Sequence, residues 1–183
     1  MDLIISEDDR AKTTTFSLAT GQPVYQVTVQ SRGSFRSETR TISKFQHPGA
    51  PPTDIGMVEL HSMSSDICQF WGRDIRPRTD MNSLSGAKGF TSSVNGQQYK
   101  WKRKLKKAEL TDKFRNTVAV YEDSRSGRLS SKGKTPAKLS VTPAAMGFLD
   151  EIIVTFVYIE QKIKEEAEVI GAAGEVVGAV AGA

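Results

Sequence analysis

The sequence predicts a mainly β fold, of the α+β class, built around one hydrophobic C-terminal helix. Three observations carry this. Short segments rich in β-branched residues alternate apolar with polar side chains through the first two thirds of the 183-residue chain, the pattern of half-buried strands. Turn residues separate them at near-regular spacing, which argues for a sheet closed into a barrel or folded into a sandwich. From Ile152 to Ile159, every residue but Thr155 is apolar or aromatic, so no polar face is left for water.

Strands are predicted from Thr13 to Leu18, Pro23 to Val29, Thr39 to Phe45, Ile55 to His61 and Asp66 to Trp71. They continue from Lys88 to Val94, Gln97 to Leu105, Thr117 to Glu122 and Ala137 to Val141. Gln46 to Pro52 reads as a loop by its Pro and Gly content, and the Asn95-Gly96 step is the strongest hairpin signal in the chain. Ser124 to Thr135, rich in Ser, Gly, Lys and Arg, is expected to be a mobile loop. Pro143 then breaks the chain before the apolar run.

The run from Phe148 to Ile159 is far short of the roughly 18 to 20 residues that cross a bilayer as a helix. Burial inside protein is the remaining solution. Its β-branched residues would also suit a central strand. Asp150 and Glu151 suit a helix N-terminus, and Glu160 to Val169 is rich in helix formers, which favours a helix that is dry at its start and wet at its end. A helix buried on all sides requires the β body to wrap it. The expected organisation is an N-terminal tail over 1–12, one domain over 13–169 and a flexible Gly/Ala-rich tail over 170–183. The glycines at 174, 178 and 182 of that tail repeat every fourth residue, as in close-packed membrane helices, but the segment is short and carries Glu175.

Cys68 is the single cysteine, so no internal disulfide holds the fold. The acidic start of the chain lacks the basic region of a secretory signal, and an intracellular protein, cytoplasmic or peripheral to a membrane, is expected. Catalysis finds little support. His47 and His61 are the only histidines, His61, Asp66 and Cys68 match no metal-ligand spacing, and phosphate-loop and nucleophile-elbow motifs are absent. A non-enzymatic module without metal or cofactor is therefore expected.

The net charge is +4, yet six of the ten residues from Gln98 to Lys107 are basic, which leaves the remainder near −2. On a strand, Lys100, Lys102, Lys104 and Lys106 point one way, and Tyr99, Trp101, Arg103 and Leu105 the other. Such a row, with Arg103 beside it, would attract the phosphates of phosphoinositide headgroups on an anionic membrane. The plain alternative is a solvated strand face that blocks edge pairing. Arg73, Arg76 and Arg78 could extend the row, or be neutralised by Asp74 and Asp80. Nucleic acid is disfavoured as a partner, because the alternation turns Tyr99 and Trp101 away from the lysines. A protein-interaction module with no lipid ligand is the second functional expectation.

Four stretches together resemble a fungal family of small domains of unknown function. They are Ile55 to Ser62, Ser65 to Gly72, Phe90 leading to Gly96-Gln97-Gln98-Tyr99-Lys100-Trp101-Lys102, and Leu149 to Glu160. The chain departs from that family at Leu60, where Trp is usual. The family is similar in design to the tubby-like barrels, among them plant LURP-one-related proteins and phospholipid scramblases. The resemblance implies a closed antiparallel barrel wrapped around a C-terminal helix, and association with phosphoinositides or membranes. It carries over no individual lipid-binding residue.

Overall fold

The computed structural model describes residues 1–32, 37–61, 65–79, 87–104, 107–124 and 135–162. Thirteen strands form one antiparallel sheet. They are β1 (Asp2–Asp8), β2 (Thr13–Ser17), β3 (Pro23–Arg32), β4 (Ser37–Lys44), β5 (Thr53–Glu59), β6 (Ile67–Phe70) and β7 (Arg73–Asp74). The series ends with β8 (Arg78–Thr79), β9 (Lys88–Thr91), β10 (Gln98–Lys104), β11 (Lys107–Asp112), β12 (Thr117–Glu122) and β13 (Ala137–Val141). A 3₁₀ turn (Pro143–Phe148) leads into helix α1 over 149–162.

The strand order is β7-β6-β5-β4-β3-β2-β1-β13-β12-β11-β10-β9-β8. The chain thus meanders to one edge of the sheet and returns from the other, and β1 and β13 join the two halves. Residues 1–12 are therefore not a tail. Leu3 and Ile5 alternate into the core from a strand at the middle of the sheet, and Asp2 faces outward opposite Ser140. Acidic residues do not prevent this, because they occupy only the outward positions and the strand's far end. Strand β11 has the same disguise: Lys107 and Glu109 flank Ala108, and the inward Ala108 and Leu110 are its only apolar signal.

The closed barrel is also corrected. Strands β7 and β8 share no ladder, so the sheet stays open at one seam. The edges nevertheless remain close. Only Ile75, Arg76 and Pro77 separate β7 from β8, and four residue steps span at most about 14 Å. Antiparallel pairing of β7 with β6 and of β8 with β9 makes 73–79 a single extended run that leaves one edge and reaches the other. Proline at 77, with no N–H to donate, suits the unpaired crossing.

Inside the sheet lies α1, with every residue from Glu151 to Ile159 buried. The central-strand alternative is thereby settled in favour of a helix. Phe156 meets Phe16 of β2 edge-on at 6.1 Å between ring centroids, Trp101 of β10 at 5.9 Å and Tyr121 of β12 at 4.8 Å. The opposite flank presses Val154 against Gly56 of β5, where a Cβ would lie 2.6 Å from a Val154 methyl. Thr155, the one polar residue in the run, accepts from the Trp101 indole at 3.1 Å and donates to the Glu151 carbonyl at 2.8 Å. Its hydroxyl is satisfied twice, so its burial carries no unpaired group. Among the described residues no helix is long and apolar enough to cross a membrane. The Gly/Ala-rich segment lies outside the described residues, as does all but the two ends of the stretch from Ser124 to Thr135, the expected mobile loop.

Candidate functional site: a cationic face at the sheet seam

Of the sequence-predicted row, Lys100 and Lys102 lie within β10. Tyr99 and Trp101 are buried, which turns Lys100 and Lys102 to the outer face, where both are half-buried. Lys102 stands opposite Glu109, and Lys100 opposite Thr111. Arg103 is exposed despite its inward parity, because β10 ends one residue later. Lys104 pairs in backbone register with Lys107, which is engaged by Glu122. The Lys104 side chain, Leu105 and Lys106 lie outside the described residues.

On the other side of β10 the positive charge continues. Lys100 is in register with Gly89 of β9, and Gly89 with Arg78 of β8. Lys100 and Arg78 thus flank a bare glycine on the same outer face, about 10 Å apart at two strand spacings. Arg78 leads directly to the seam, where a cleft of about 360 Å³ opens beside the C-terminal end of α1. Among the described residues, Arg76, Arg78, Lys88 and Lys162 line it against one carboxylate, that of Asp66, with His61 and Tyr158 also in the wall. Asp74, outside the cleft, lies 3.3 Å from Arg78 and 4.0 Å from Arg76. Even with Asp74 included, the described cations outnumber the carboxylates.

Asp66 organises the cleft. Its carboxylate accepts from the His61 amide at 3.0 Å and from the Tyr158 hydroxyl at 3.0 Å, and it pairs with Lys162 at 3.0 Å. Its own carbonyl accepts from Arg76 at 2.6 Å. Burial by itself would raise the Asp66 carboxyl, but these hydrogen bonds and the ammonium of Lys162 hold it below its ordinary value. Tyr158 is pushed the other way, chiefly by burial and then by Asp66, so it stays a neutral donor. Lys88 lies 5.9 Å from the Tyr158 ring, a cation-π distance.

Of the residues that reach this place, the sequence pointed to Arg76 and Arg78 and left Lys88, Lys162 and Tyr158 unremarked. Tyr158 and Lys162 had one signal, helical spacing, being four apart on one helix face, whereas Lys88 at the start of β9 had none. The residues considered as metal ligands do not converge. Asp66 meets the His61 backbone, while the His61 ring is 3.4 Å from Glu59. Cys68 is buried facing the Val154 carbonyl, and burial raises its thiol.

At the other end of α1, Glu151 is fully buried. It accepts from the Ser92 hydroxyl, and from the Ser93 amide at 2.8 Å and hydroxyl at 2.5 Å. Asp150 receives the Tyr25 hydroxyl at 2.5 Å and Lys44 at 2.8 Å. The helix start is thereby tied to β3, β4 and the β9–β10 loop.

These features define a class: a single antiparallel sheet curled around a dry helix, with a cationic face where its edges meet. The chain belongs to a family of unknown function (DUF6593), whose model matches residues 8–165. The match runs from the end of β1 past the described part of α1. No curated protein and no solved structure matches the chain.

Proposed function

We propose that this protein is a non-enzymatic module that docks on anionic lipid headgroups, phosphoinositides included, at the cytoplasmic surface of a membrane. The observation that carries the reading is the convergence of Arg76, Arg78, Lys88 and Lys162 on one cleft, continuous through Gly89 with Lys100 and Lys102. Phosphate oxygens would be met by guanidinium forks and ammonium groups, each contributing about 1 kcal/mol near an anionic surface. The sheet wound around one C-terminal helix supports kinship with the tubby-like proteins, several of which associate with membranes.

Co-sedimentation with phosphatidylcholine vesicles, with and without a phosphoinositide, tests this reading. Binding should require the anionic lipid and weaken as salt rises. The double variant Arg76→Glu, Arg78→Glu should lose most of it, and equal negligible sedimentation with both vesicle types would refute the reading. A second reading, a protein-interaction module with no lipid ligand, is favoured by the apolar side chains exposed at the end of the sheet where α1 begins. It predicts a retained protein partner when Lys100 and Lys102 are reversed to Glu.

A further inference from the structure

Strand directions place the loops 18–22, 45–52, 71–72, 92–97 and 113–116, together with the 3₁₀ turn, at the end of the sheet where α1 begins. Among the described residues, the exposed large apolar side chains are Met1, Trp71, Val94, Phe114 and Met146, and every one is at this end. Trp71 is 59% exposed at the tip of the β6–β7 turn, Val94 56% exposed in the β9–β10 loop, and Phe114 73% exposed in the β11–β12 turn. Met146 and Val94 rim the concavity above Asp150. The five come from separate segments, so their convergence is a property of the fold and not of any one hydrophobic stretch.

Two of these tips are held in shape. Trp71 and Gly72 both have positive φ, 47° and 76°, a costly conformation for a bulky residue, and the turn projects the indole outward with its amide bonded to the Ile55 carbonyl at 2.9 Å. In the β11–β12 turn, the Asp112 carboxylate accepts from the amides of Phe114 and Asn116, each at 2.8 Å. Lys113 lies 4.9 Å from the Phe114 ring.

Cations stand around and just behind the tips. Lys113 and Arg115 share the turn with Phe114, and Arg73 follows the Trp71-Gly72 turn; all three are exposed. Lys100 lies two residues along β10 from its start at this end, and Arg78 is level with it through Gly89. Two residues of strand span about 7 Å, close to the thickness of about 5 to 7 Å of one headgroup layer. Across the seam, the turn carrying Trp71 follows β6 at one edge of the sheet, and the turns carrying Val94 and Phe114 cap β9 to β12 toward the other edge, so the three tips lie on the two sides of the cationic face.

We infer that this end is the membrane-facing end, with Trp71, Val94 and Phe114 entering the acyl boundary of an anionic bilayer while Lys100, Arg78, Arg73, Lys113 and Arg115 sit among the headgroups. The inference rests on the docking reading above and adds an orientation: Arg78 and Lys100 of the cationic face lie among the headgroups, whereas Lys88 and Lys162, farther toward the C-terminal end of α1, stand behind them and reach only phosphates that rise above that layer. Convex tips on separate loops suit a deformable bilayer, and an aromatic ring flanked by cations is the side-chain pattern of the membrane interface.

Trp71 fluorescence in the full chain, with vesicles of phosphatidylcholine and phosphatidylserine carrying brominated acyl chains, tests it. Trp101, the other tryptophan, is buried, and the variant Trp71→Phe supplies its background. Quenching by bromine close to the headgroup is expected, with affinity about tenfold weaker in Trp71→Ser, Phe114→Ser at unchanged dependence on salt. Binding to anionic vesicles with no quenching, and with the double variant bound as tightly as the parent, would overturn the insertion and leave docking standing. No binding to vesicles of any composition would overturn both.

Discussion

The substitution Gly56→Ala tests most directly whether the sheet wraps the helix at contact distance. A Cβ on residue 56 would meet the two Val154 methyls at 2.6 and 3.2 Å and the Gln69 carbonyl oxygen at 2.8 Å. Comfortable carbon–carbon contact is about 3.5 to 4.0 Å, so the nearer methyl must retreat by about 1 Å. Val154 has nowhere to go, being fully buried on a helix held on its other flank by Phe16, Trp101 and Tyr121 through Phe156. Overpacking of this kind costs about 1 to 3 kcal/mol, and the backbone contact with Gln69 places Gly56→Ala toward the upper part of that range. With a urea slope near 2 kcal/mol/M, the unfolding midpoint should fall by about 1 M. Val154→Ala alone removes two methyls and should cost about 2 kcal/mol. Combined, the two should cost clearly less than their sum, because truncating Val154 vacates the space that the new methyl needs. An unchanged midpoint for Gly56→Ala, or strict additivity in the double variant, would show that the helix does not press on β5.

Three further outcomes follow from the same geometry. Phe156→Asp, which buries a charge among three aromatic rings, should leave the chain without cooperative unfolding, and a retained sigmoidal melt would contradict the central position of α1. Glu151→Ala should destabilise by about 2 to 4 kcal/mol, since it orphans the buried Ser92 hydroxyl and the Ser93 amide, and denaturant titration would register a smaller loss as evidence that water substitutes there. Because Asp66 is held below the ordinary aspartate value, its stabilising share is complete above that value and is lost as pH falls through the lower folded value. Melting temperature should therefore decline less between about pH 5 and 2 in Asp66→Asn than in the parent, and identical acid limbs would remove Asp66 from the account.

The β segments with clear alternation and the dry helix were legible because their signals are local. Val27, Ile42, Val58 and Leu139 announce their strands by period two, and Ile152 to Ile159 announces burial by having no polar face. The hairpin at Asn95-Gly96 was equally local: Gly96 takes a φ of 67° and its amide returns to the Ser92 carbonyl at 2.9 Å. Strand β1 was missed because its core contribution is only Leu3 and Ile5 within an acidic stretch, and its pairing with β13 lies more than 130 residues away. The two-residue strands β7 and β8 fall below any periodicity and exist through the edges that they bridge.

The candidate site divides in the same way. Alternation alone determined that Lys100 and Lys102 face away from Tyr99 and Trp101, since successive strand residues must alternate faces. It could not tell that Glu109 stands opposite Lys102, that Gly89 connects Lys100 with Arg78, or that Lys88 and Lys162 reach one cleft with Arg76. Those neighbours come from register between strands and from the wrapping of the sheet, long-range properties that no local pattern encodes. The sequence by itself determined a β-rich chain with one helix that must be hidden and one concentration of positive charge. Only the tertiary structure decided that the sheet stays open at a seam, that cations gather there, and that five scattered apolar residues share one end, because each of these depends on which strand lies beside which.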